Sequence, residues 1–442
     1  MTEVDVAPKR EAFVPTTFQR RLVQREGAAG ILPPSLLTTP KERQDQYERL
    51  DQMIGHTPLL RVHNDPNGSV VLAKVESHNP SESHYDRAYL ATLRRLEDDG
   101  VITPGDELLE ITSGSAGTSF AWLCSRLGYK ARIIVPPELP QGRVQEMINF
   151  GAIVERSKPG YVPEAAIEMR DEIIKNKKTR EKHQTEDYNV ITFQKENSQR
   201  VCVVNHSANR LTPNAFRAIG EEVVDILPKD VKIDFAVSVL GNWTSTTGLV
   251  ESLRKHYPDV KMIGIEDVRN PNYFDEKYPG EYEKRYSKPP EFGQHDSYGA
   301  SARGTHLDFV DVDSLDEIVL VDPTDRDRVG EEYNYYHNNI VETIGNTSAG
   351  SLSEAKQIAK AHPGSTVLIL FYDKADRYGE PVRIAGDDSY TTRPTNQVRE
   401  RARLPGLGWR QVRVKSLQDL PTSLVDPKAG GKSRAFEGWA LS

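Results

Sequence analysis

The stretch ELLEITSGSAGTSFAWLCSRLGYKARIIV, Glu107–Val135, decides the fold. Glu107–Ile111 reads as a short strand. Thr112–Gly117 is a run of small residues. Thr118–Leu127 has helical spacing and stops at Gly128, and Ala131–Val135 is an apolar run of strand length. A strand, a helix and a second strand on short links is the unit of a parallel sheet. The pattern extends outward in both directions. Val70–Val75 (VVLAKV) precedes it as a strand. Tyr85–Asp99 precedes it as a helix, with Tyr89, Leu93 and Leu96 on one side. Gly142–Phe150 and Pro163–Lys175 follow as helices, with the strand Ala152–Glu155 between them. After a polar stretch the alternation resumes with Val201–Val204, Asn214–Leu227 and Phe235–Leu240, a helix to His256, and the strand Lys261–Ile265. Ile318–Val321, Arg326–Asn338, Ser351–Ala361 and Thr366–Leu370 complete it. The fold class is therefore α/β, with twisted, mostly parallel sheets covered by helices on both faces.

The flanks read differently. Residues 1–45 form an arm with one short helix near Lys41–Gln52, and the ordered core begins at Ile54. Arg269–Tyr298, rich in Tyr, Pro and charge, reads as solvated surface insertion, its tyrosines leaving a partner interface open. The tail from about Gly386 is polar and Pro-rich and is expected to wrap the body or to be partly mobile.

Composition narrows the function. The 442 residues carry 57 Lys and Arg against 65 Asp and Glu, a net charge of −8. That balance argues against nucleic acid as the main partner, since phosphate binding needs a basic face. No apolar run approaches the ~20 residues of a membrane span. The opening MTEVDVAPKREAFVPTTFQRR lacks the apolar segment of a secretory signal. The expected compartment is the cytoplasm. Cys124 and Cys202 are too few for a disulfide framework or a metal cage and read as small core residues; no metal is expected.

Three loops follow strands at their carboxyl ends, where such sheets bind ligands. They are His78–Arg87 (HNPSESHYDR), Thr112–Thr118 (TSGSAGT) and Gly241–Gly248 (GNWTSTTG). In the second, Thr112, Ser113, Gly114 and Ser115 present small side chains at a helix start, which suits a carboxylate or phosphate. A plain strand-to-helix turn capped by Thr112 or Ser115 reads the same residues equally well. The third loop has hydroxyls for an oxyanion and a Trp243 that would crowd one.

Several motifs resemble, in the same order and spacing, cysteine synthase and cystathionine β-synthase. They are IGHTPLL (Ile54–Leu60), LAKVE (Leu72–Glu76), NPSESHYDR (Asn79–Arg87), TPGD (Thr103–Asp106), TSGSAG (Thr112–Gly117), NHSANRLTPNAF (Asn205–Phe216) and GNTSAGSLSEA (Gly345–Ala355). The resemblance runs from about Ile54 to Tyr378. It implies the two-domain architecture of fold-type II pyridoxal-phosphate enzymes, the tryptophan-synthase-β fold. A small mobile domain would span 85–190, and a discontinuous large domain 46–84 and 191–385. A cofactor cleft would lie between them, with a tail at 386–442. It also implies a homodimer, or a heteromer with an active paralogue.

Departures from the family pattern bear on the chemistry. The family has a Schiff-base lysine where this chain has Tyr85, and a phenol forms no imine. The family's asparagine in the second loop is here Ser115. In the degenerate phosphate loop Gly241, Asn242, Trp243, Thr244 and Ser245, two glycine positions become Trp243 and Thr244, and the closing threonine becomes Ser245. Asp373 or Lys374 falls near the group that faces the pyridine nitrogen, and the family's substrate-side glutamine becomes His206. Together these predict that pyridoxal phosphate is lost or replaced. Tyr85 reads first as a cleft-filling aromatic bonded to a neighbour, second as a proton-transfer group. His84 and His206 read first as polar walls. Lys74 reads as structural, and Lys374 as a distant substitute for the missing amine. The expected function is that of a divergent or catalytically inactive cysteine-synthase-like protein binding an amino acid or small anion at Thr112–Ser115 and His206. The alternative is an enzyme acting on an amino acid, a lyase or a β-replacement on an activated serine. It would work with or without pyridoxal phosphate, through Tyr85, His84, His206 or another lysine.

Overall fold

The computed structural model describes residues 17–112, 114–137, 139–158, 164–175, 177, 179–292, 307–336, 343–375, 409–411, 413–422 and 439–441. In chain order the elements are α1 (Thr17–Ala29), α2 (Pro40–Met53), β1 (Leu59–Asn64), β2 (Val70–Lys74), α3 (Tyr85–Asp98), β3 (Glu107–Ile111), α4 (Ser115–Leu127), β4 (Lys130–Val135), α5 (Gln141–Asn149), β5 (Ile153–Arg156) and α6 (Glu164–Lys175). They continue with β6 (Glu181–Gln184), β7 (Asn189–Gln194), β8 (Arg200–Val203), α7 (Leu211–Ile226), β9 (Phe235–Val239), α8 (Thr244–His256), β10 (Lys261–Asp267), α9 (Asn272–Lys277) and α10 (Glu281–Tyr286). Last come β11 (Glu317–Val321), α11 (Pro323–Tyr336), α12 (Asn346–Ala361), β12 (Thr366–Leu370) and the short strands β13 (Trp409–Gln411) and β14 (Trp439–Leu441).

Two six-stranded sheets result, ordered β1-β2-β12-β9-β10-β11 and β5-β4-β3-β8-β7-β6. In the first, only β1–β2 is antiparallel. In the second, β5, β4, β3 and β8 run parallel, and β7 and β6 close the edge antiparallel. Alternation along single strands explains the double cover. Leu72, Leu368 and Leu370 pack with Phe216, Ile219 and Leu253 of α7 and α8 on one face. Val71, Ala73, Val367 and Ile369 pack with Leu352, Ala355 and Ile358 of α12 on the other. Strands buried on both sides read as near-continuous apolar runs, which is what these are apart from Thr366 and Lys74 at their ends. In the second sheet Leu108, Ile133 and Cys202 face α4, while Leu109, Ile134 and Val203 face α6. Helices α7 and α8 cross closely because Gly248 has no side chain. A Cβ there would stand 2.5 Å from the Pro213 carbonyl oxygen.

The flanks correct the sequence reading. The ordered body begins before Ile54: α1 forms a further helix, and Leu22, Tyr47 and Leu50 are buried in the core of the second sheet. The polar stretch before β8 is the hairpin β6–β7, legible only as half-buried strands with one wet face. The segment after Arg269 is not simply solvated surface. Tyr273, Phe274 and Tyr282 of α9 and α10 are buried, because the backbone N–H groups of Tyr273 and Phe274 donate to the buried Glu266 carboxylate and anchor α9 on β10. Residues 293–298 of that stretch lie outside the described residues. Part of the tail does wrap: Leu420 is buried and the Arg61 N–H donates to the Pro421 carbonyl. Among the described residues, no helix is long and apolar enough to cross a membrane.

Candidate functional site

The starts of α3 and α8 converge with the short 3-10 turn His206–Ala208 between β8 and α7. Tyr85 opens α3. Its hydroxyl oxygen accepts a hydrogen bond of 3.2 Å from Asn242 Nδ2. Burial pushes the phenol up to about 12 against the hydrogen bonds of Asn242 and Thr244, which pull it down, so Tyr85 stays protonated at neutral pH. The ring packs against His84 at 4.2 Å, His206 at 5.3 Å and Phe216 at 5.7 Å between centroids.

His84 is buried among Tyr85, Phe216 and Tyr372, and its Nδ1 has no hydrogen-bond partner among the described residues. Burial lowers its pKa to about 4 from the ordinary value of 6.5. Below pH 6.5 the unfolded chain takes a proton that the folded chain refuses. Stability is therefore lost as pH falls from about 6.5 to about 4. Comparing urea unfolding at pH 7 and pH 4, the native chain should lose about 3 kcal/mol more than His84→Phe, which keeps an aromatic ring and has nothing to titrate. Equal losses would exclude His84 as the source.

The loop before α8 is organised by Asn242. Its Oδ1 accepts from the Thr244 N–H at 3.2 Å and the Thr244 hydroxyl at 2.8 Å. Its Nδ2 donates to Tyr85 and to the Ser207 hydroxyl, each at 3.2 Å. One carboxamide thus takes the first N–H of a helix start, an end that favours an anion. Trp243 does not crowd this space as the sequence reading expected. Its indole is 1% exposed and stacks edge-on against Tyr273 at 5.1 Å, in the core behind the loop. The Tyr273 hydroxyl in turn donates to the Gly241 carbonyl. Trp243 adopts φ +66°, a left-handed backbone that strains a bulky residue. Thr244 and Ser245 are buried in the first turn of α8.

His206 is nearly buried. Its Nδ1 lies 3.3 Å from Glu110 Oε2, and that oxygen also accepts from the His206 backbone N–H and the Tyr89 hydroxyl. On the other side of the ring, Nε2 is 3.4 Å from Ser207 Oγ.

The second loop joins a different set. Thr112 Oγ1 accepts from the Gly114 N–H, and neither Thr112 nor Ser115 caps α4 with its side chain. A Cβ at Gly114 would stand 2.2 Å from Arg143 Nη1, so a side chain there would displace the guanidinium. The Arg143 guanidinium is buried and 3.6 Å from Asp373, and the Ser115 hydroxyl donates to Asp373 at 3.4 Å. Ser113 lies outside the described residues. Lys374, beside Asp373, is buried and donates to Glu82 at 2.6 Å.

Lys74 is structural. Its Nζ donates to Glu222 at 2.5 Å and to the Thr57 carbonyl, and Arg87 bridges Glu76 and Glu222 with four hydrogen bonds of 2.6–2.9 Å. Burial alone would raise Glu222, but Arg87 and then Lys74 beside it hold its carboxyl well below the usual range.

Sequence reasoning missed Arg143, Glu110 and Ser207. Glu110 carried a signal, an acid between Leu109 and Ile111 on the same strand face as Leu108. Arg143 and Ser207 carried none. Among the described residues no cluster of three or more His, Cys, Asp or Glu is placed to hold a metal ion.

Comparison with known proteins fits this architecture. Residues 50–373 match the family model described as pyridoxal-phosphate dependent enzyme. Cysteine synthase B of Campylobacter jejuni is 24% identical over 333 residues, covering 75% of this chain and 97% of that protein. A cysteine synthase of Staphylococcus aureus is 30% identical over 230 residues, 52% of this chain and 67% of that protein. The crystal structure of an O-acetylserine dependent cystathionine beta-synthase from Helicobacter pylori superposes with a TM-score of 0.61 at 20% identity, covering 76% of this chain and 98% of that one. With the colinear motifs, the two sheets and a family match over most of its length, the chain belongs to the family of pyridoxal-phosphate dependent enzymes.

Proposed function

We propose that this chain is a divergent cysteine-synthase-like protein whose cleft binds a small amino acid without forming a Schiff base, Tyr85 standing where the family has its lysine. One observation carries the reading. The Asn242 carboxamide takes the Thr244 N–H at the start of α8 and holds the Tyr85 hydroxyl at once. The residues of the cleft do not fit pyridoxal phosphate. A phenol supplies no amine, the Asn242 side chain sits on the first N–H of the helix start, and the two buried lysines nearby are held by Glu222 and Glu82. The amino-acid reading is supported by the second loop. A buried guanidinium pairs with a buried carboxylate at 3.6 Å, and the Ser115 hydroxyl donates to the same carboxylate, so the loop holds polar groups of the kind an amino acid needs.

The test is the absorbance spectrum of the purified protein before and after adding pyridoxal phosphate and removing the excess, followed by borohydride and peptide mapping. The expected result is no retained band and no modified lysine. A lasting band fixed to a lysine would overturn the reading. A second reading, an enzyme that acts on an amino acid through proton transfer, is favoured by the contact between Glu110 and His206.

A further inference from the structure

The geometry points to Ser207 as a nucleophile, activated by His206 and oriented through Glu110, that takes the acyl group of a small carboxylic ester. The site is built on a tight turn at the carboxyl end of β8. Asn205 holds φ +51° and ψ +66°, and the 3-10 turn it starts sets His206 and Ser207 side by side before α7. Asparagine tolerates this left-handed backbone better than other non-glycine residues.

Glu110 is an acceptor three times over, from Ile111 N–H, His206 N–H and Tyr89 Oη–H. His206 Nδ1 lies 3.3 Å from that carboxylate without hydrogen-bonding it, so the charge acts on the ring through space. A carboxylate on the Nδ1 side favours the tautomer with its proton there, which leaves the Nε2 lone pair for Ser207, 3.4 Å away. The Asn242 carboxamide has its oxygen fixed by the two donors of Thr244, so its NH2 end faces Ser207 and Tyr85. Ser207 Oγ accepts from Asn242 and gives its own proton to His206. Tyr85 accepts from Asn242 and keeps its own proton for an incoming carbonyl oxygen. Ser207, Tyr85 and Asn242 are each partly exposed, whereas Glu110 and His206 are buried. The nucleophile and the carbonyl donors therefore face the cleft while the relay behind them is dry.

The step balances without an outside reagent. Ser207 Oγ bonds to the acyl carbon as its proton passes to His206 Nε2. The carbon–oxygen bond to the alcohol breaks, and the alcohol leaves with that proton. Water then adds to the acyl-serine by the same route, releasing the acid and restoring Ser207.

The inference stands beside the reading of a cleft without a Schiff base, and its test is separate from it. The full chain is treated with a fluorophosphonate and with p-nitrophenyl acetate, and the adduct is located by peptide mapping. An adduct at Ser207 is expected, absent in Ser207→Ala. Its rate of formation should fall about 100-fold or more in His206→Ala and recover in part with added imidazole. Melting curves matching those of the native chain show that the variants fold. Should His206→Ala not fold, Tyr85→Phe replaces it, with a slower but detectable reaction expected. No adduct at Ser207 in folded protein, or one that His206→Ala forms as fast, overturns the proposal. Neither result bears on whether pyridoxal phosphate is retained.

Discussion

Replacing Glu222 with Gln is expected to destabilise the protein by about 3–5 kcal/mol, read as a shift in the urea midpoint. The cause is charge balance in a largely buried space, Glu222 itself being 13% exposed. Lys74 and Arg87 supply two positive charges, and Glu76 and Glu222 two negative ones. Lys74, Glu76 and Arg87 are 0%, 0% and 7% exposed. Gln at 222 keeps the volume but removes one negative charge and replaces one acceptor oxygen with an NH2 donor. A net positive charge is then left with little water to solvate it. The cluster ties β2, the start of α3, α7 and the Gly55–Thr57 turn, where the His56 N–H also donates to Glu222. Its loss is therefore felt across the larger sheet. Glu251→Gln is the control. Glu251 pairs with Arg210 and Arg217 at the surface, and its loss should cost at most about 1 kcal/mol. Equal costs for the two variants would mean that the buried quartet contributes no more than an exposed pair.

Asn242→Gly is expected to convert the start of α8 into an oxyanion site. With the carboxamide gone, the Thr244 N–H and hydroxyl, the Ser207 hydroxyl and the Tyr85 hydroxyl are left around one space, at the positive end of a helix of 13 residues. Inorganic phosphate at about 100 times its dissociation constant would then stabilise the variant by about 2.7 kcal/mol. That amounts to several degrees in melting temperature, with no response in the native chain. If both respond alike, Asn242 is not the group that closes the site. On the same ground Tyr85→Lys alone should leave pyridoxal phosphate unretained.

The sheets were legible because strands covered on both faces read as near-continuous apolar runs, and those around β2, β9 and β12 have no other reading. The flanks were not. In α9 and α10, charged residues share short helices with Tyr273, Phe274 and Tyr282, so the average looks wet while one side is buried. At the site, the loops were found through their small residues and their place after strands. The partners that define them were not: Arg143 reaches the second loop from α5, and Glu110 reaches His206 from β3 across 96 residues. Pairings at that distance in sequence leave no local pattern. Trp243 misled for the opposite reason, since its size was legible but not the left-handed backbone that turns it into the core.

Helix α1 touches both sheets' units at adjacent residues. Glu26 receives the Trp122 indole N–H at 2.6 Å and pairs with Arg126, both on α4, while Arg25 donates to the His78 carbonyl just ahead of the cleft. Any hinge that parts the two units must stretch one of these attachments or let the helix detach from one side. If the two units part, the motion must strain this one helix, so amide hydrogen exchange in α1 is expected to slow when a ligand holds them together.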